Sequence, residues 1–147
     1  MILSFTIWFN RLVKEMDEIS GLGAAFPEIN GESSTGSIYE IRRYKLKLGY
    51  DTVPNMLSIY KSGLPSKLTA EGTDPTTSLV TLLYSEVGLL NEVIEIWRHG
   101  GGTEAMNRSR NAARGAHEWR KAVGGIADLA TEFASAIHKP TSFSPWK

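Results

Sequence analysis

The chain contains no cysteine. A disulfide framework, thiolate chemistry and a Cys-ligated metal are therefore excluded, and the composition suits a reducing compartment. It also lacks a dominant charge. Sixteen Lys and Arg balance sixteen Asp and Glu, so no global field draws the chain to nucleic acid or to an anionic membrane. Long apolar runs are missing too. The opening MILSFTIWF is too short for a transmembrane segment and has no small-residue cleavage site behind it; Asp17 and Glu18 follow too soon for a transit peptide. No Ser stands in Gly-x-Ser-x-Gly, and neither phosphate-binding glycine frame is present.

What is there organises around Leu79–Trp97, LVTLLYSEVGLLNEVIEIW. Two β-branched and aromatic runs flank a short connector holding Gly88, which reads as a β-hairpin. Leu79 and Leu83 are expected to point one way and Val80, Leu82 and Tyr84 the other; Ile94 and Ile96 oppose Val93 and Trp97. A hairpin wetted on one side alternates more cleanly than this. It belongs in a sheet covered on both faces.

The 147 residues allow one domain with a real core. Ile2–Phe9 alternates like a strand, and a chain that opens inside a strand is expected to be the remnant of a longer one. Asn10–Ile19 carries a weak helical stripe, and the Gly- and Ser-rich Gly21–Gly36 reads as a linker. The division is thus 1–36 as an N-terminal strand, weak helix and linker, and 37–147 as the domain. Ser37–Leu48 alternates as a strand with a charged periphery. Asp51 is placed to cap a helix whose face is Val53, Met56, Leu57, Tyr60 and Leu64, with a break expected at Gly63 and Pro65. After the hairpin, Gly100–Gly102 reads as a flexible connector and Thr103 as the cap of a second helix bearing Ala105, Met106, Ala112, Ala113, Ala116 and Trp119. Gly124 and Gly125 are expected to interrupt it. A last strand falls within Thr131–Phe143, which Pro140 confines to an edge.

From Ser37 the order is βαββαβ, an α+β ferredoxin-like sandwich with an extra N-terminal strand. Two helices cover one face of such a sheet. The apolar second face then calls for another copy, which makes a homodimer of the dimeric α+β barrel type the expected assembly.

The same residues carry a resemblance. Tyr39, Glu40, Ile41 and Arg42 with Gly49, then SGLPSKL at 62–68, then Glu86, Gly88, Leu90 and Asn91, then Trp97, together resemble the NIPSNAP family. The closing PTSFSPWK is similar to the end of the C-terminal domain in two-domain members. Leu48 departs from the family's usual Pro, and His99–Gly102 from its usual polar loop. The resemblance implies a ferredoxin-like, dimeric α+β barrel without an assigned reaction. It implies mitochondrial residence (cytoplasmic being the alternative) and roles in mitochondrial quality control or vesicle transport. The function expected is a non-catalytic dimerisation and protein-interaction module, with no cofactor, no metal and no catalytic residue. The alternative is a small-molecule binder or enzyme, of haem or oxygenase type, using a cleft beside the sheet.

Cleft candidates are Tyr39, Tyr84, Trp97 and His99, with core packing as the plainer account of the aromatic side chains. His99, His117 and His138 match no metal spacing and read as three separate imidazoles; a haem ligand, if there is one, is expected at His99 or His138, assisted by Glu95 or Glu118. Arg98, Arg108, Arg110, Arg114, Arg120 and Lys121 read as a solvated basic face, with Glu118 pairing Arg114 at i, i+4. Glu86 and Asn91 read as turn residues.

Overall fold

Alternation in the Ser37–Leu48 stretch yields strand β1 (Ile38–Leu46) in the computed structural model, which describes residues 36–146. The strand expected at 2–9, the helix at 10–19 and all but the end of the linker lie outside the described residues. Beyond β1 come helix α1 (Thr52–Leu68), strands β2 (Thr77–Tyr84) and β3 (Glu92–His99), helices α2 (Gly102–Gly115) and α3 (His117–Leu129), and strand β4 (Ala130–His138). The sheet order is β2-β3-β1-β4, with every neighbouring pair antiparallel. β3 lies between β1 and β2, and β1 lies between β3 and β4, which is the split βαβ arrangement of a ferredoxin-like fold.

The helices pack on one face of the sheet. Tyr44, Leu46 and Val93 meet Met56 and Tyr60 of α1 and Trp119, Ala122 and Ile126 of α3 in the main core. Those α3 residues recur at three- and four-residue spacing, so they form one buried stripe. On the sheet, this face also presents Glu40 and Glu95, both without solvent exposure.

Several local expectations change. Within β2 the register slips between Leu79 and Thr81, so Leu79, Leu82 and Tyr84 oppose Trp97, Glu95 and Val93, while Leu83 opposes Ile94. The extra residue at Val80 is a β-bulge that reverses the alternation after it. Leu79 and Leu82 therefore pack on the core, and Leu83 faces away. Helix α1 runs through Pro65 instead of breaking. The proline costs one bond in the last turn, at the carbonyl of exposed Lys61, and its own carbonyl accepts from both the backbone N–H and the hydroxyl of Thr69.

The second helix divides at Ala116, which is extended (φ −76°, ψ 102°), and it is Gly101 rather than Thr103 that precedes α2. Gly124 and Gly125 then continue α3 without interruption. A Cβ at Gly125 would come within 3.3 Å of Ile59, so close approach to α1 outweighs the roughly 1 kcal/mol that helical glycine costs. Finally, the Gly100–Gly102 connector is held in place: Thr76 accepts from the Gly100 N–H through its carbonyl and from the Gly101 N–H through its hydroxyl.

The tightest approach in the helical layer is Gly63 of α1, where an added Cβ would lie 2.4 Å from the Ala122 Cβ. Gly63→Ala gains about 1 kcal/mol of helix propensity but must push α1 from α3, at about 1–3 kcal/mol for overpacking. We expect a lowered thermal midpoint in calorimetry, with Ala122→Gly in the same chain recovering most of the loss. An unchanged midpoint for the single variant would show that the layer gives freely.

Candidate functional site

Two carboxylates set the interior. Glu95 on β3 accepts from the Tyr44 hydroxyl at 2.6 Å, the Tyr60 hydroxyl at 2.8 Å and Arg42 Nη1 at 3.3 Å, as well as from the Trp97 indole N–H. Glu40 on β1 takes Arg42 side-on through Nε (2.7 Å) and Nη2 (3.0 Å), and also accepts from Arg110 Nη2 at 2.6 Å and the Ser135 hydroxyl at 2.8 Å. An isolated buried carboxylate is far too costly to keep charged; this density of donors keeps it so. Burial alone would raise both groups. For Glu40 the contacts with His99, Arg42 and Arg110 outweigh it, and for Glu95 the charges of Arg42 and Lys67 do, so both sit below the usual carboxylate range.

Lys67 completes the cluster from the last turn of α1. Its Nζ lies 3.6 Å from Glu95 Oε1, 3.5 Å from the Trp97 ring centroid and 4.6 Å from that of Trp119. Nζ is buried and has no hydrogen-bond partner among the described residues. Burial pulls the ammonium down to about 7, against a smaller upward pull from Glu95. The positive charge of Arg42, 3.3 Å from the same carboxylate oxygen, adds to the downward push.

The cluster floors a cavity of about 550 Å³ between sheet and helices. Trp97, Trp119 and Phe133 give it apolar walls, and Arg110, Arg114 and Arg120 contribute from α2 and α3. Arg110 is paired with Glu40. Among the described residues neither Arg114 nor Arg120 comes within ion-pairing distance of a carboxylate. Two buried carboxylates thus face Arg42 and Arg110, Lys67 is partly neutral, and Arg114 and Arg120 remain as surplus positive charge.

Of the four cleft candidates, Trp97 and His99 line this cavity. Tyr39 does not: it lies on the helix-free face, buried, stacked on Trp146 at 5.7 Å. Tyr84 stands at the far end of β2, 54% exposed. The three histidines do not converge. His138 pairs with Tyr39 and so faces away from His99, while His117 is exposed on α3 beside Glu118. Of the ring nitrogens of His99, Nδ1 meets the Thr77 hydroxyl at 2.9 Å, while buried Nε2 faces Glu40 Oε2 at 3.5 Å without a hydrogen bond. Since Thr77 in turn accepts from Ser109, its hydroxyl proton points to Nδ1 and the imidazole N–H to Glu40. With Nδ1 turned to Thr77 and Nε2 to the Glu40 carboxylate, these residues do not fit axial ligation of a haem. Among the described residues no cluster suits a metal ion.

The basic stripe resolves into separate roles. Arg108 holds Asp74 through Nε at 3.0 Å and Nη2 at 2.6 Å, and Arg110 holds Glu40. Arg114 and Glu118 fall on different helices and do not pair; Arg114 donates to Asn111 instead. Asn91 reaches beyond its own turn, its amide donating to the Leu46 carbonyl at 2.6 Å.

The Lys67 shift has a definite sign in stability. Between about pH 7 and the ordinary lysine value of 10.5, the unfolded chain holds a proton that the fold does not, so stability rises with pH over that window. Tyr44 and Tyr60, kept protonated by burial and by Glu95, reverse the slope above pH 10. We expect the urea midpoint to rise from pH 7 to pH 9.5, and most of that rise to vanish in Lys67→Met. A flat wild-type profile would contradict the assignment.

The family comparisons agree with this fold. A NIPSNAP family profile matches residues 39–145. Among solved structures, a NIPSNAP family protein from Agrobacterium tumefaciens has a TM-score of 0.68 at 20% identity, covering 83% of this chain and 100% of that one. A second protein of that organism, a NIPSNAP family protein with unknown function, gives 0.62 at 28% identity over 76% of this chain and 95% of its own. A candidate antibiotic biosynthesis monooxygenase from Caulobacter crescentus reaches 0.53 at 9% identity over 74% of this chain and 93% of its own, a likeness of fold alone. A search of curated proteins finds no match. No helix among the described residues is long and apolar enough to cross a membrane. With the family profile covering more than half of its length, the chain belongs to the NIPSNAP family.

Proposed function

We propose that the domain binds a small organic anion in the helix-side cavity. One observation carries this reading: the aromatic-walled cavity of about 550 Å³ is bordered by more positive charge than its own carboxylates neutralise. That volume lies in the range of small-molecule sites, which combine apolar walls with a few placed polar groups. A purely architectural module needs only a filled apolar interior; here two carboxylates, an arginine and a lysine converge instead. The anionic end of the ligand meets Arg114 and Arg120, and its apolar body lies along Trp119 and Phe133. Of the two functions expected from the sequence, small-molecule binding has the better support in the interior.

Benzoate is a suitable probe, with benzamide as its neutral isostere. Benzoate is expected to change the tryptophan fluorescence saturably and benzamide to bind at least tenfold more weakly, since a charge-assisted contact contributes about 1.5–3 kcal/mol. Arg114→Ala together with Arg120→Ala should remove that preference while leaving the fold intact, both side chains being exposed. Equal binding of the two probes would refute the anion reading.

The helix-free face supports a second role, self-association. Ile41 and Ile96 are directly paired across β1 and β3, with Ala136 beside Ile41 on β4 and Leu83 beside Ile94 on β2. This apolar stripe crosses the whole sheet, and a second copy seated on it would make the homodimer and interaction surface expected from the sequence. Native mass spectrometry should show a dimer, and Ile96→Lys a monomer. A monomeric wild-type chain at micromolar concentration would exclude this role without touching the cavity.

A further inference from the structure

We propose that Lys67 is a covalent capture site, whose amine condenses with the aldehyde or ketone carbonyl of an anion held in the cavity to form an iminium. The proposal rests on the anion-binding reading and adds to it the class of ligand and the atom that takes it. Its basis is the placing of one nitrogen. Lys67 lines the cavity, and its buried Nζ lies between the rings of Trp97 and Trp119, 3.5 and 4.6 Å from their centroids, with Glu95 Oε1 at 3.6 Å. Buried as it is, it makes no hydrogen bond among the described residues.

An ammonium in that place has three N–H donors and only the Glu95 carboxylate, 3.6 Å away, to face them. Buried donors left so cost free energy. An iminium at the same nitrogen has a single N–H, which the Glu95 carboxylate faces. It remains a cation, so its attraction to the two indole rings and to Glu95 persists. Condensation thus replaces a poorly satisfied cation by a better satisfied one and leaves the buried charge unchanged.

The step balances. The neutral amine attacks the carbonyl carbon, a C–N bond forms, and the carbonyl π pair moves to oxygen. One proton passes from nitrogen to that oxygen, giving a carbinolamine. A second proton, the one the ammonium released, lets the oxygen leave as water as the nitrogen lone pair closes the C=N bond. Ammonium plus carbonyl therefore gives iminium plus water.

The groups around Nζ favour this chemistry at neutral pH. Glu95 faces it from β3; Glu40, Arg42 and Tyr44 from β1; Tyr60 from its own helix; Arg110 and Arg114 from α2 and Arg120 from α3 border the same cavity. Burial dominates among these influences and brings the ammonium down to about 7, so a large fraction is the nucleophilic free amine. The arginines supply the second half of the selection, since a ligand bearing both a carbonyl and a carboxylate meets cations at the rim and an amine within.

The test uses the full chain with 4-formylbenzoate and cyanoborohydride, which reduces an iminium to a stable secondary amine, followed by peptide mapping. Lys67 is expected to be alkylated at least tenfold faster than any of the seven other lysines. Its rate should rise with a midpoint near pH 7, and benzoate should protect it. Labelling spread evenly over the lysines, or absent from Lys67, overturns the proposal. If benzoate still binds in that case, the anion site stands and only the covalent step falls. If benzoate does not bind and Lys67 is not labelled, both readings fall together. The wild-type chain supplies each result, so the experiment does not depend on a Lys67 variant that folds.

Discussion

The structure depends on keeping Glu95 charged in the middle of the layer between sheet and helices. A carboxylate without solvent exposure is tolerated only when its oxygens are matched by donors. Here the donors come from separate parts of the chain: Tyr44 and Arg42 from β1, Tyr60 from α1 and Trp97 from β3 itself. Satisfying one group therefore fixes the helix over the sheet. It also fixes the register of β1 against β3, because Arg42 stands directly opposite Glu95. A one-residue slip would turn Arg42 and Tyr44 to the other face and strip the carboxylate of both donors.

Arg42 serves two masters, and the rest of the site follows from how it is shared. It donates Nε and Nη2 to Glu40 and Nη1 to Glu95. With its planar fork so divided, Glu40 needs Arg110 and Ser135 as well, which ties α2 and β4 to the network. Lys67 feels the attraction of Glu95, but also the repulsion of Arg42 at the same oxygen. The lysine is therefore the one cation of the cluster that burial can push toward neutrality. Arginine could not take that role, for its guanidinium keeps its proton in proteins.

Much of the framework was legible because its signals are local. The hairpin, α1 and the βαββαβ order follow from period, turn residues and β-branched content. What could not be read depended on partners distant in sequence. The bulge at Val80 leaves no compositional mark, yet it exchanged the faces of Leu82 and Leu83. The break at Ala116 occurs at one of the best helix formers, and the helix runs through Gly125, where Ile59 of α1 packs close. For the site, Trp97 and His99 stood out by residue type. Glu40 and Arg42 read as part of a charged periphery, although period two puts them on the same face as Ile38, Tyr44 and Leu46, and Glu95 reads only as an assistant to a haem ligand. Lys67 follows Met56 by eleven residues and Tyr60 by seven, which places it on the buried stripe. The available signal was charge at inward positions; reading it required knowing which face was covered.

That misplaced charge is also the strongest argument that the interior is for something. Buried ion networks are poor devices for stability: replacing one by packed apolar residues of similar volume is often neutral or stabilising by about 1–4 kcal/mol. A layer required only to hold three helices on a sheet has no use for two carboxylates, an arginine and a partly neutral lysine. The helix-free side of the same sheet shows what mere packing needs, a row of Ile and Ala with charge at its ends. The contrast between the two faces separates the roles. Apolar contact suffices for the proposed association, and the ionic face, with its cavity and surplus cations, is what supports the proposed ligand site.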